Sequence, residues 1–165
     1  MGFFKVKNKR SFLSLLIIII FTQAVGALSG YLGMSSPENY NTLIKPAFAP
    51  PSWIYMIVWP ILYLLMAFAA YRIWMLGKQG EDIKKATRLY LIQLLLNFLW
   101  PIIFFRFRLI GLAFFELLLL LVFILLTTFE FFRLDKFAGL LMIPYILWVS
   151  FAGILNFSLW MLNNM

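Results

Sequence analysis

The sequence predicts an all-α protein, an integral membrane bundle of five transmembrane helices. Three observations lead there. Of 165 residues, 64% are hydrophobic and 12% are charged, and the mean hydropathy is +0.96; a soluble domain is about half apolar and a quarter charged. A core this small cannot hide that much apolar surface from water, so hydrocarbon must be the solvent. The charges also divide the chain into apolar runs near the roughly 20 residues that a bilayer crossing requires. Finally, leucine and isoleucine dominate these runs without two-residue alternation, which favours helices over a closed barrel.

The spans are predicted over residues 11–35, 51–74, 85–105, 108–131 and 137–161, all within a single domain covering 1–165. The first begins after basic residues and contains Ala24-Val25-Gly26, which has the look of a secretory leader. Its apolar pattern continues through Leu32 and Met34, and Thr22, Gly26 and Gly30 form a small-residue stripe of the kind that packs helices closely. A retained helix is therefore expected. The second span starts at Pro50 and Pro51, where a first-turn proline costs no hydrogen bond. The third is lengthened if Lys85 and Arg88 snorkel. The fourth is interrupted by Glu116, and the fifth runs uncharged from Phe137. Pro60, Pro101 and Pro144 fall inside spans, where proline bends helices.

Lysine and arginine sort by side. Eleven of the 14 basic residues fall in the N-terminal segment and the second and fourth connections; Lys45, Arg106 and Arg108 fall on the other side. This bias predicts a cytoplasmic N-terminus and an outside C-terminus. It also explains the net charge of +8 as topology, so no nucleic-acid partner is expected. With no cysteine and no histidine, thiol chemistry, the usual neutral-pH base and the usual haem and zinc ligands are missing. Neither a metal nor a cofactor is expected.

In lipid, polar, small and aromatic residues mark the inward face. Tyr55, Trp59 and Tyr63 share one face of the second span, and Gln93, Asn97 and Pro101 one face of the third, with Trp100 adjacent. Pro144, Trp148, Ala152 and Asn156 form a stripe on the fifth. Amides in hydrocarbon are costly unless paired, so Gln93, Asn97 and Asn156 should point into the bundle. Trp53, Trp74, Trp100 and Trp160 fit an interfacial aromatic belt, most clearly Trp74 and Trp160, whereas Trp59 and Trp148 lie too deep for one. Glu116 is an acid well inside a span, a functional candidate or a protonated or hydrogen-bonded structural residue. The stretch from Lys45 to Pro51 should form a stiff, non-helical cover across the bundle.

The stretches KPAFAPPSWIYMIVWPILY, LNFLWPIIFF and IPYILWVSFAGILNFSLW occur in order along the whole chain. They resemble the TspO family, tryptophan-rich sensory proteins related to the mitochondrial translocator protein. The resemblance implies five helices with a pocket near the first loop that binds porphyrins or similar flat hydrophobic ligands. It also implies, as in some bacterial members, light-driven degradation of protoporphyrin using two tryptophans, which fall on Trp59 and Trp148. The family's pocket alanine falls on Ala152 and its motif asparagines on Asn97 and Asn156. The expected ligand-binding set is thus Phe48, Trp53, Tyr55, Trp59, Tyr63, Asn97, Trp100, Trp148, Ala152 and Asn156.

Three departures qualify what carries over. Phe48 replaces the loop tryptophan; the sterol motif loses its tyrosine, at Phe157, and its basic residue; and the third span lacks the small-residue repeat of family dimers. A homodimer is an expected partner arrangement whose interface this leaves unassigned. Lipid and a tetrapyrrole are the other expected partners, and a bacterial cell membrane the expected location. Three function classes stay open: a tetrapyrrole sensor or photochemical enzyme, a carrier of porphyrin or another amphiphile, and a non-catalytic ligand- or lipid-binding protein.

Overall fold

A computed structural model describes residues 9–33 and 38–163; the side chains described are those of 11–33 and 40–163. Met34, and Lys5 and Lys7 of the basic N-terminal segment, lie outside the described residues. The elements are α1 (Lys9–Gly33), a short α2 (Glu38–Asn41), α3 (Ser52–Gly77), α4 (Lys84–Pro101) running into a π-helical turn (Ile102–Arg106), α5 (Ile110–Leu134), α6 (Lys136–Leu141) and α7 (Ile143–Asn163). Among the described residues five stretches are long and apolar enough to cross a membrane: Ser11–Gly33, Ser52–Gly77, Lys84–Arg106, Ile110–Leu134 and Lys136–Asn163.

Each internal proline has a different consequence. The α3 helix continues through Pro60. Pro101 ends α4, and the wider turn that follows loosens the hydrogen-bond ladder. The Phe98 carbonyl accepts from the Ser29 hydroxyl at 2.7 Å, tying α1 to the last turn of α4. Pro144 sits in the first turn of α7, after a break at Met142 that divides the last span into α6 and α7.

Packing places α1 against α3 and α4, and α5 against α4, α6 and α7. The stripe on α1 is only partly a packing device. Thr22 is buried, and Gly26 lies so close to Tyr63 that an added Cβ would run into the ring. Gly30, expected to join them, faces open space. Gly26→Ala should therefore cost about 1–3 kcal/mol through overpacking, while Gly30→Ala should be neutral or slightly stabilising. Thermal unfolding of both variants in the same detergent checks this; equal midpoints would remove Gly26 from the interface.

The ends of the bundle differ in charge. At one end Arg72 on α3 pairs with Asp135 at 2.6 Å. The Asp135 carboxylate also caps α6, accepting from the Phe137 and Ala138 amides. Beside it Glu130, buried on α5, is paired with Lys85 and Arg133. This is the basic end. At the other end the segment before α3 turns at Pro46–Ala49, where the Ala49 amide donates to the Pro46 carbonyl at 3.0 Å. It reaches α3 through an extended Pro51.

Candidate functional site

The loop end of the bundle carries a continuous set of aromatic rings. Phe48 meets Phe151 of α7 with centroids 6.3 Å apart. Phe151 meets Trp148 at 5.6 Å, and Trp148 meets Tyr55 of α3 at 5.8 Å. One turn deeper, Trp59 contacts Tyr63 at 5.8 Å and Tyr145 at 6.5 Å. The four-residue spacing of Tyr55, Trp59 and Tyr63 produces this wall, and α7 supplies the facing side through residues 145, 148 and 151–152. Ala152, the small residue among them, is buried.

Below the rings lies a polar floor. Tyr63 donates its hydroxyl to the Asn97 amide oxygen. The Asn97 amide nitrogen donates to the Tyr145 hydroxyl at 2.5 Å, and that hydroxyl donates to Gln93 Oε1 at 2.9 Å. All four residues are buried. Hydrocarbon offers no alternative partners, so the chain of bonds fixes three helices in register.

A lid covers the upper layer. Asn163, near the end of α7, accepts from the Ile44 amide at 2.9 Å and donates to the Ile44 carbonyl at 3.0 Å. Lys45 sits 4.3 Å from the Tyr40 ring centroid, and the Tyr40 and Tyr55 hydroxyls are 3.3 Å apart. The loop is thus held at Ile44 and Tyr40, while Phe48 remains half-exposed between these ties and α3.

Among the described residues, two break the rule that buried polar atoms find partners. The Trp148 indole Nε1 and both Glu116 carboxylate oxygens are buried without a hydrogen bond. Contact of Leu117 with Gly153, where an added Cβ would lie 3.9 Å from the leucine, sets Glu116 at the level of the Trp148–Gly153 turn.

The sequence-predicted residues do not all meet. Phe48, Tyr55, Trp59, Tyr63, Asn97, Trp148 and Ala152 are brought together. Trp100 and Asn156 form a separate pair: the indole donates to Asn156 Oδ1 at 3.1 Å, and the Asn156 amide donates to the Ile110 carbonyl at 2.9 Å. Trp100 also stacks on Phe104 at 5.0 Å. This pair anchors the start of α5. Trp53 is 56% exposed and joins none of these ring pairs. Tyr145, Phe151, Tyr40 and Asn163 were not predicted. For Tyr145 a cue existed, because it precedes Trp148 by three residues on one helical face; for Asn163, in an uncharged tail, none did.

These features define a class: a polytopic membrane protein whose loop end holds an aromatic, lidded site with unpaired buried polar groups. The family follows from comparison with known proteins. The TspO/MBR family pattern matches residues 18–161. The tryptophan-rich protein TspO of Chlorobaculum tepidum is 38% identical over 157 residues, 93% of this chain and 98% of the relative. The tryptophan-rich sensory protein of Cereibacter sphaeroides is 34% identical over 148 residues, 89% and 91% of the two chains. The translocator protein of Bos taurus is 35% identical over 144 residues, 84% and 85% of the two. The chain belongs to the TspO/MBR family.

Proposed function

We propose that this protein binds a flat conjugated amphiphile of the porphyrin class under the Pro46–Pro51 loop, and that turnover, where it occurs, is light-driven oxidation of the bound ring. The observation that carries this is the Trp148 indole: a buried N–H with no partner, ringed by Tyr55 and Phe151. A ligand acceptor would satisfy that donor, and its π-face would stack on the surrounding rings, each aromatic pair adding about 0.5–1.5 kcal/mol beyond burial. The rings already touch one another, so a macrocycle must part them, and the Phe48–Phe151 contact beneath the lid is the natural opening. Neither cysteine nor histidine is available as a reagent. A photoexcited porphyrin supplies its own reactivity, with dissolved dioxygen as oxidant, and the protein holds it and offers oxidisable indoles.

Titrating the purified protein with protoporphyrin in the dark should quench tryptophan emission, and illumination should then change the absorption spectrum. Ala152→Leu fills the space beside Trp148 and should weaken binding by about tenfold or more. Unchanged affinity in a folded Ala152→Leu protein would move the site elsewhere.

A carrier is the second reading, favoured by the unpaired Glu116 carboxyl inside a span. It requires net porphyrin uptake into proteoliposomes in the dark, which a binding protein or photochemical enzyme does not give.

The same proposal includes an orientation, with the basic end in a bacterial cytoplasm and the lid outside. Single cysteines at Asn41 and Gln79 should be labelled by an impermeant reagent from opposite sides of the membrane. Labelling of both from one side would overturn it.

A further inference from the structure

We propose that a cleft at the basic end of the bundle binds an anionic phospholipid, one acyl chain in the cleft and the phosphate between Lys78, Lys84 and Arg88. The cleft, of about 140 Å³, is formed by α1, α3 and α4 and floored by Phe131 of α5. Three of its lining residues, Phe21, Trp74 and Leu91, are roughly half-exposed, so it opens toward lipid and not into the bundle. Its walls are almost wholly apolar, which leaves a water inside it without partners and favours hydrocarbon.

The rim carries the headgroup chemistry. Lys84 and Leu91 are seven residues apart and share a face of α4, and Arg88 lies between them beside the lining Thr87. Across the mouth, Lys78 sits 5.9 Å from the ring of the lining Trp74 and donates to Ser14 Oγ at 3.0 Å, which keeps the ammonium at the entrance. The nearby carboxylates are already taken: the buried Glu130 by Lys85 and Arg133, and the partly buried Asp135 by Arg72. Lys78, Lys84 and Arg88 have no ion pair among the described residues. Two acids, Glu81 and Asp82, lie on the same connection, and Asp82 accepts the Lys84 backbone amide at 3.1 Å. The rim therefore keeps one net positive charge, matched to one phosphate diester. This chemistry is separate from the aromatic site, which lies at the opposite end of the bundle.

The test uses the full-length protein in nanodiscs with lipids brominated on the acyl chain, which quench tryptophan on contact. Comparison with Trp74→Phe isolates the Trp74 emission. Brominated phosphatidylglycerol should quench that emission at a mole fraction several-fold lower than brominated phosphatidylcholine does. Lys84→Gln with Arg88→Gln, both exposed and away from the core, should bring the two lipids together, since each cation near a lipid surface contributes about a fivefold preference. Lys45→Gln at the other end should change nothing, and inorganic phosphate should not compete. Equal quenching by both lipids, a preference that survives the double substitution, or Trp74 emission shielded from every lipid by a second copy of the chain would each overturn the proposal.

Discussion

Trp59→Phe and Trp148→Phe are each expected to retain most protoporphyrin binding and to lose the spectral change that follows illumination. Phenylalanine keeps an apolar ring in contact with the same neighbours: Tyr63 and Tyr145 for position 59, Tyr55 and Phe151 for position 148. What it removes is the easily oxidised indole, and at position 148 also the unpartnered N–H. The two variants should therefore separate on affinity. Trp148→Phe also loses a hydrogen bond to the ligand, worth about 0.5–1.5 kcal/mol, whereas Trp59→Phe loses none. Dark titration followed by illumination measures both effects on one sample. If both variants degrade porphyrin at the parent rate, the tryptophans are wall and not reagent, and a binding module replaces the enzyme.

Asn97→Leu should lower stability by about 2 kcal/mol, measured by unfolding in a fixed detergent. Asn97 is the joint of the polar floor, accepting from Tyr63 and donating to Tyr145. Its removal leaves the Tyr63 hydroxyl buried without an acceptor, while Tyr145 still donates to Gln93. Interhelical bonds of this kind in membranes are worth about 0.6–1.7 kcal/mol each, so two account for the figure. Adding Tyr63→Phe should recover part of the loss, because an unsatisfied buried hydroxyl costs more than an absent one. Were the double variant less stable than Asn97→Leu alone, the Tyr63 ring contacts, and not its hydroxyl, would be what the floor depends on. The same substitution should also loosen the site, because the floor holds Tyr63 and Tyr145, the rings against which Trp59 packs.

Pattern along the chain made the helices and the inward faces legible. Hydrocarbon leaves few choices: an apolar run of sufficient length becomes a helix, and an amide within it turns inward for lack of any other partner. Gln93, Asn97 and Asn156 could therefore be assigned to the interior from periodicity alone, and all three are buried. The wall of Tyr55, Trp59 and Tyr63 followed from its four-residue repeat. The sequence also carried the TspO/MBR motifs, which the comparisons bear out.

Partner choice was decided only by tertiary structure. Asn97 and Asn156 are chemically alike and both inward, yet one joins the polar floor beneath Trp59 and the other pairs with Trp100 at the start of α5. Spacing within a helix fixes the direction of a side chain, but not which residue of another helix stands opposite. The same holds for Gly26 and Gly30, one turn apart, of which only the first meets a neighbour. It holds for Asn163, whose strap to Ile44 spans 119 residues of sequence. The unpartnered Trp148 and Glu116 could not be foreseen either. Periodicity turns a polar group inward, but whether it finds a partner there depends on how five helices and one loop close around it.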